Sequence, residues 1–331
     1  MKKLLLATAV AALSVSAAHA APTVYGKILL TTDYVDGNLT VKKDGNKLID
    51  EDYSTTQLNS SGSSNVTGSR IGFKGAEALT ANTDLVYQLE YGIDVDADQG
   101  RNFRSRDTYI GLSNKQYGTL VAGRLSAIDD NINYVSQTVG QYDGFNAASW
   151  DGNRVNNAMA YFSPAYNGLQ FMGMYAVEED NASDLITDAE AFGVGVKYEP
   201  ANQPFRAGAT YIKSADFNTT RVSGAYDLNN QIGLGALYQI SDLDKSDKEN
   251  LAAISATYKT ATPWTAYAQA EMTSNVGGSD GDDAQRLVLG GKYAFKANAT
   301  GHVYAGYSNL EQEGQDDRDG FGIGTGIEYK F

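Results

Sequence analysis

From Thr23 onward, hydrophobic and polar residues alternate with a period of two over runs of about ten residues, and no comparable stretch shows the 3.6-residue period of an amphipathic helix. The alternation predicts strands over 23–35, 66–78, 84–94, 105–113, 117–125, 154–163, 168–177 and 190–198. Eight more are predicted over 204–213, 219–227, 231–240, 250–259, 264–273, 285–295, 300–309 and 321–331. Sixteen is an even number, as closed antiparallel barrels of bacterial outer membranes have. Within Ser69-Arg70-Ile71-Gly72-Phe73-Lys74, the apolar Ile71 and Phe73 fall on one face and Arg70 and Lys74 on the other. Leu234, Ala236 and Tyr238 repeat the apolar face further along.

The connections carry a second regularity. Short ones (114–116, 164–167, 228–230, 260–263) alternate with long polar ones (36–65, 126–153, 178–189, 241–250, 274–284, 310–320). An up-and-down barrel with tight turns at one rim and long loops at the other produces this alternation, and a soluble sandwich has no reason to. The face opposite the apolar one is built of Gly, Thr, Ser, Gln, Lys and Arg. In a barrel of this strand number a polar interior means a water-filled channel. Tyr25, Tyr87, Tyr109, Tyr161, Tyr198, Tyr226, Tyr258, Tyr293 and Tyr329 stand near predicted strand ends, where aromatic girdles meet the membrane interfaces.

Residues 1–20 read differently: Lys2 and Lys3, an apolar run, then Ala18-His19-Ala20, the pattern of a cleaved secretory signal peptide. The apolar run is too short to span a bilayer as a helix, and no later stretch is long and apolar enough either. Residues 21–331 show no linker or shift in composition, so they are read as one unit. The 35 glycines and 22 tyrosines against 5 prolines fit a chain of strands and turns.

Charge and composition then remove function classes. A formal net charge of −14 makes nucleic acid an improbable partner. The absence of cysteine excludes disulfides, thiol catalysis and Cys-ligated zinc. His302 is the one histidine outside the leader, and no nucleophile can be assigned to it, so no enzymatic activity is expected. Asp94, Asp96 and Asp98 are spaced like a calcium loop, but Gln99 and Ser105 stand where glycine and glutamate are needed. Gly322, Gly324 and Gly326 lack the helix of a dinucleotide site, and the acidic run 277–283 reads as a solvated loop. Asn65-Val66-Thr67 is a glycosylation acceptor only in a eukaryotic secreted protein. Neither metal nor cofactor is expected.

Four stretches and the C-terminus resemble the general, trimeric porins of Gram-negative outer membranes: 24–30 (VYGKILL), 69–79 (SRIGFKGAEAL), 106–124 (RDTYIGLSNKQYGTLVAGR), 154–164 (RVNNAMAYFSP) and the closing GIEYKF. Between 178 and 320 only the rhythm is shared. The resemblance implies an all-β fold, a 16-stranded antiparallel transmembrane β-barrel whose third external loop folds inward. It implies a homotrimer in contact with outer-membrane lipid and lipopolysaccharide, passing ions and small hydrophilic solutes. By motif position it also implies a basic wall of Lys27, Arg70, Arg106, Arg124 and Arg154 facing acidic residues of that loop.

The loop 126–153 carries Asp129, Asp130, Asp143 and Asp151, with Asp143 nearest the family's acidic position, although the Pro-Glu-Phe-Gly run of enterobacterial members is absent. Its apolar residues Ile128, Ile132, Tyr134, Val135, Val139, Tyr142, Phe145 and Trp150 suit a segment packed inside a barrel. Phe331 matches the terminal aromatic of the family's assembly signal. Two other readings stand beside the diffusion pore: a substrate-selective channel with a binding site in the constriction, and a structural or adhesive barrel with little conductance.

Overall fold

The structure is a computed structural model that describes residues 21–43, 46–60, 68–96, 103–144, 149–152, 154–177, 190–313 and 316–331. The leader 1–20, the Asn65–Thr67 acceptor, Asp98, Gln99 and Phe145 lie outside the described residues. The first strands are β1 (Thr23–Lys43), β2 (Asn46–Asn59), β3 (Arg70–Ala78), β4 (Thr83–Ile93), β5 (Phe103–Asn114) and β6 (Gly118–Ser126). After a long connection come β7 (Arg154–Phe162), β8 (Leu169–Ala176), β9 (Ala191–Tyr198), β10 (Phe205–Ser214), β11 (Phe217–Asp227) and β12 (Ile232–Asp242). The chain ends with β13 (Lys248–Lys259), β14 (Trp264–Ser274), β15 (Asp283–Lys296), β16 (Ala299–Glu311) and β17 (Asp317–Lys330).

Except for β2 and β3, each strand pairs antiparallel with the next, and β1 closes the sheet against β17 with Lys27 opposite Lys330. β1 also pairs with both β2 and β3, Thr31 standing opposite Asn59 and Lys27 opposite Arg70. β2 and β3 are therefore two lengths of one stave, and the barrel has sixteen. Where the stave is interrupted, the Ser69 amide donates to the Ser60 carbonyl at 3.2 Å. The Ser69 hydroxyl meets the Leu29 amide and carbonyl, each at 2.9 Å, and so replaces the missing ladder bonds.

The two faces differ as the period of two requires. On β15, Leu287 and Leu289 are about half exposed on the outside, whereas Arg286 and Val288 are buried on the inside. Leucine on the outer face costs nothing in lipid, and arginine there at mid-depth costs roughly 2–4 kcal/mol. Leu287→Arg is accordingly expected to destabilise the folded barrel by about that amount in a liposome unfolding titration. Lys74 and Tyr25 share the inner face, the ammonium 5.0 Å from the ring centroid, with Phe73 outside.

The outer girdle is only part of what the tyrosine positions suggest. Tyr161, Tyr226, Tyr258 and Tyr329 are exposed outside, and Trp264, Tyr293 and Phe295 stack edge to face near one rim. Tyr25 instead turns inward to Glu90, and Tyr109 packs against the inner apolar cluster. The strands also outrun their predicted ends. The segment 36–65 is read from the sequence as a loop, yet β1 continues to Lys43 and pairs with β2. β12, β13, β16 and β17 reach likewise into the predicted loops 241–250 and 310–320. Beyond the apolar band neither face of a strand meets lipid, so hydropathy alternation ends before pairing does. The polar residues there pair with each other, as Asn38 does with Asp50 and Asp52 at 2.9 and 3.1 Å.

Candidate pore constriction

The long connection between β6 and β7 packs against the buried faces of distant strands. Ile128 sits on Gly193 of β9, Ile132 on Gly208 of β10, Tyr134 and Val135 on Gly235 of β12, and Tyr142 on Gly306 of β16. Each of these glycines leaves the place a side chain would fill, so the loop backbone can approach the wall. Ile128, Ile132, Val135, Val139 and Tyr142 are all buried, and Tyr134 and Trp150 partly so. Polar contacts follow the same course. The Gln137 amide donates to Gln269 Oε1 at 2.8 Å, the Tyr142 hydroxyl to the Gly306 carbonyl at 2.7 Å, and the Trp150 amide to Glu249 Oε1 at 2.8 Å.

Arg221 of β11 is the strongest polar anchor. Fully buried, it reaches Asp151 at 2.6 Å and Asp129 at 3.1 Å, and its Nε donates to Gln239 Oε1 at 2.7 Å. Gln239 in turn donates to the Trp150 carbonyl at 2.9 Å. Burial, reinforced by the charges of Asp129 and Asp151, holds the neighbouring Asp130 carboxyl well above the usual carboxylate range, with Arg221 and Arg154 pulling the other way. A second anchor is Arg286 of β15, which bonds Glu271 at 2.5 Å and the carbonyl of Gly144 in the loop.

On the other wall, the predicted basic residues meet acids that the sequence reading did not single out. Arg106 Nε lies 2.7 Å from Glu90 Oε1, Arg70 Nε lies 3.8 Å from Glu90 Oε2, and the Tyr25 hydroxyl donates to that same oxygen at 3.0 Å. Arg154 bonds Asp107 at 3.0 Å. Asp107 also accepts from the Ser126 amide at 2.9 Å, where the long connection leaves β6. Lys27 bonds Glu328 of β17 at 3.2 Å.

The structure therefore brings Arg70 and Arg106 together on one carboxylate, with Arg154 on a neighbouring one and Lys27 on the adjoining stave. Arg124 stands apart from them: its guanidinium bonds the Ser105 carbonyl and Asn156, and its neighbour Leu125 is the one in the inner apolar cluster. Among the loop acids, Asp129 and Asp151 hold Arg221 on a different part of the wall. Asp143 follows Tyr142, which docks on Gly306 of β16 next to the strands that carry Lys292 and Glu328. Glu90, Asp107, Arg221 and Arg286 were missed as site residues. Their signal is an inward charged position between outward apolar ones, as in Leu89-Glu90-Tyr91, and it marks a lumen residue without naming its partner.

Comparison with known proteins agrees with this architecture. The Gram-negative porin family matches residues 7–324. Major outer membrane protein P.IB of Neisseria sicca is 24% identical over the whole of both chains, and that of Neisseria meningitidis serogroup B is 25% identical, also over the whole of both. An anion-selective porin from Comamonas acidovorans shares the fold with a TM-score of 0.70 at 17% identity, over 94% of this chain and 99% of that one. OmpF of Salmonella typhi, in complex with daunomycin, does so with a TM-score of 0.62 at 19% identity, over 92% and 97%. A closed barrel, a polar charged interior and a family match over nearly the whole chain lead to one conclusion: this chain belongs to the Gram-negative porin family.

Proposed function

We propose that this outer-membrane porin narrows its channel between the basic wall of Lys27, Arg70, Arg106 and Arg154 and the described residues of the connection 126–153, read as an infolded third external loop with Asp143 as its pore-facing acid. The observation that carries the reading is the run of loop contacts on the inner faces of β9, β10, β12, β14 and β16. As a porin it is a pore for passive diffusion and not an enzyme. Opposed charges across a narrow, water-filled section set up a field transverse to the pore axis. That field orders water and orients dipolar solutes, and it penalises apolar ones that cannot replace the lost polarisation.

Arg124, at the edge of the cluster, contributes to the field at longer range. Asp129 and Asp151 act by fixing the loop through Arg221, and Asp130 beside them adds to the acidic face of the segment. The working form is a homotrimer in lipid and lipopolysaccharide, released from its leader after residue 20, with Phe331 read by the assembly machinery. Single-channel recording of the refolded protein in a planar bilayer tests the reading. Current steps in multiples of three are expected, together with larger steps for Asp143→Ala. Silence from correctly folded protein would overturn it and favour a structural or adhesive barrel.

A further inference from the structure

Neither ring nitrogen of His302 has a hydrogen-bond partner among the described residues, although the side chain is only 4% exposed. The buried hydroxyl of Tyr267 has none either. Buried polar groups are nearly always partnered, so two orphans on the staves either side of β15 need a reason. The register groups them. Tyr267 stands opposite Gly290, with its ring tip over that glycine, and Lys292, two residues on and so on the same face, stands opposite His302. The Lys292 ammonium is 5.1 Å from the Tyr267 ring centroid and forms no salt bridge among the described residues.

Positive charge dominates this part of the wall. Lys292 stands opposite His302, and Glu328 on the adjoining β17 is already bound to Lys27 at 3.2 Å and Lys330 at 2.9 Å. Val139 and Tyr142 of the loop pack in one cluster with Tyr267, and Asp143 follows Tyr142 in the chain. The orphans thus lie beside the proposed constriction, toward the rim that carries the short turns.

We propose that Lys292, His302 and Tyr267 form an oxyanion subsite in the lumen that takes a phosphate group, either the free ion or a monoester of a small solute. An ammonium gives up to three donors and a phenol one, while a neutral imidazole gives one donor and one acceptor. Hydrogen phosphate offers several acceptor oxygens and an O–H, so it meets every one of these groups. Chloride would answer the charge and leave the imidazole acceptor unmet. Hydrogen bonds between charged partners are the strong ones, which favours an oxyanion here over a neutral solute. The consequence for transport rests on the lumen being an open channel: phosphate-bearing solutes pass by way of a saturable step and compete with chloride.

Two measurements test this on the refolded protein in detergent and in a planar bilayer. Calorimetric titration with inorganic phosphate, and separately with glycerol phosphate, is expected to show saturable binding that weakens at least tenfold in Lys292→Met and in His302→Ala. His302→Asn, which keeps a donor and an acceptor, is expected to bind more tightly than His302→Ala. Chloride current is expected to fall saturably as phosphate is added, over the same concentration range. Binding of inorganic phosphate alone assigns the subsite to the free ion, and binding of both assigns it to the phosphate group. No saturable heat from the wild type with either compound, or equal affinity in both variants, overturns the proposal. Intact binding without chloride current would count against the open channel and not against the subsite, so the two failures are distinguishable. Should Lys292→Met not fold, the two His302 variants carry the test.

Discussion

Replacing Arg221 by alanine is expected to destabilise the folded protein by roughly 3–5 kcal/mol, the usual consequence of removing one partner from a buried ion pair. The guanidinium is the only cation within ion-pair distance of Asp129 and Asp151 among the described residues, and Asp129 is fully buried. Without it, Asp129 must take up a proton or pull the loop away from the wall. On the proposed reading of the loop, the second route has a functional signature, because the segment tied down by Asp129, Asp151 and the Gln239–Trp150 bond would become free to move. Chemical unfolding in detergent should show the loss of stability, and single-channel records should show noisier steps of altered size. Arg221→Met combined with Asp129→Asn should recover part of the loss, since the doubly changed pair no longer strands a charge. Equal stability of the wild type and Arg221→Ala would mean that the anchor is redundant with the apolar contacts of Ile128 and Ile132.

Arg106→Ala should move the reversal potential under a salt gradient toward cations. A unit charge 4 Å away in water is worth about 1 kcal/mol, so losing one at the proposed constriction changes the local ion ratio several-fold. Glu90 keeps Arg70 and Tyr25 after the change and adds its negative charge to that of Asp143. Glu90→Gln should shift the potential the opposite way, by releasing both arginines from their shared carboxylate. Both shifts should shrink in 1 M salt, where the Debye length is about 3 Å. No shift from either substitution would place the selectivity-determining section elsewhere in the channel.

The staves were legible because lipid on one face and water on the other impose the period of two, and Leu287 beside Arg286 is enough to orient a whole strand. Where that asymmetry stops, legibility stops, as the added lengths of β1 and β2 beyond the apolar band show. The basic wall was reached through the resemblance. Its acidic complement was not, because Glu90 and Asp107 look like any inward polar residue until the register sets β4 beside β5. The same holds for Arg221, which meets Asp151 from 70 residues away in sequence. No local pattern encodes such a pairing, and only the curvature of the closed sheet brings the loop to it.

The seam between β1 and β17 has a consequence for how the molecule is made. Lys27 and Glu328 are 301 residues apart in sequence, and the Gly26 and Phe331 backbones exchange hydrogen bonds of 2.9 and 3.1 Å. The first strand to emerge has to wait for the last before its free edge is covered. Until then the chain has two unpaired edges and an apolar outer face, which makes it prone to self-association. Loop closure over such a span makes folding slow. An escort that keeps the nascent strands apart until the whole ribbon can curl shut is therefore a requirement of this topology, independent of what the finished channel conducts.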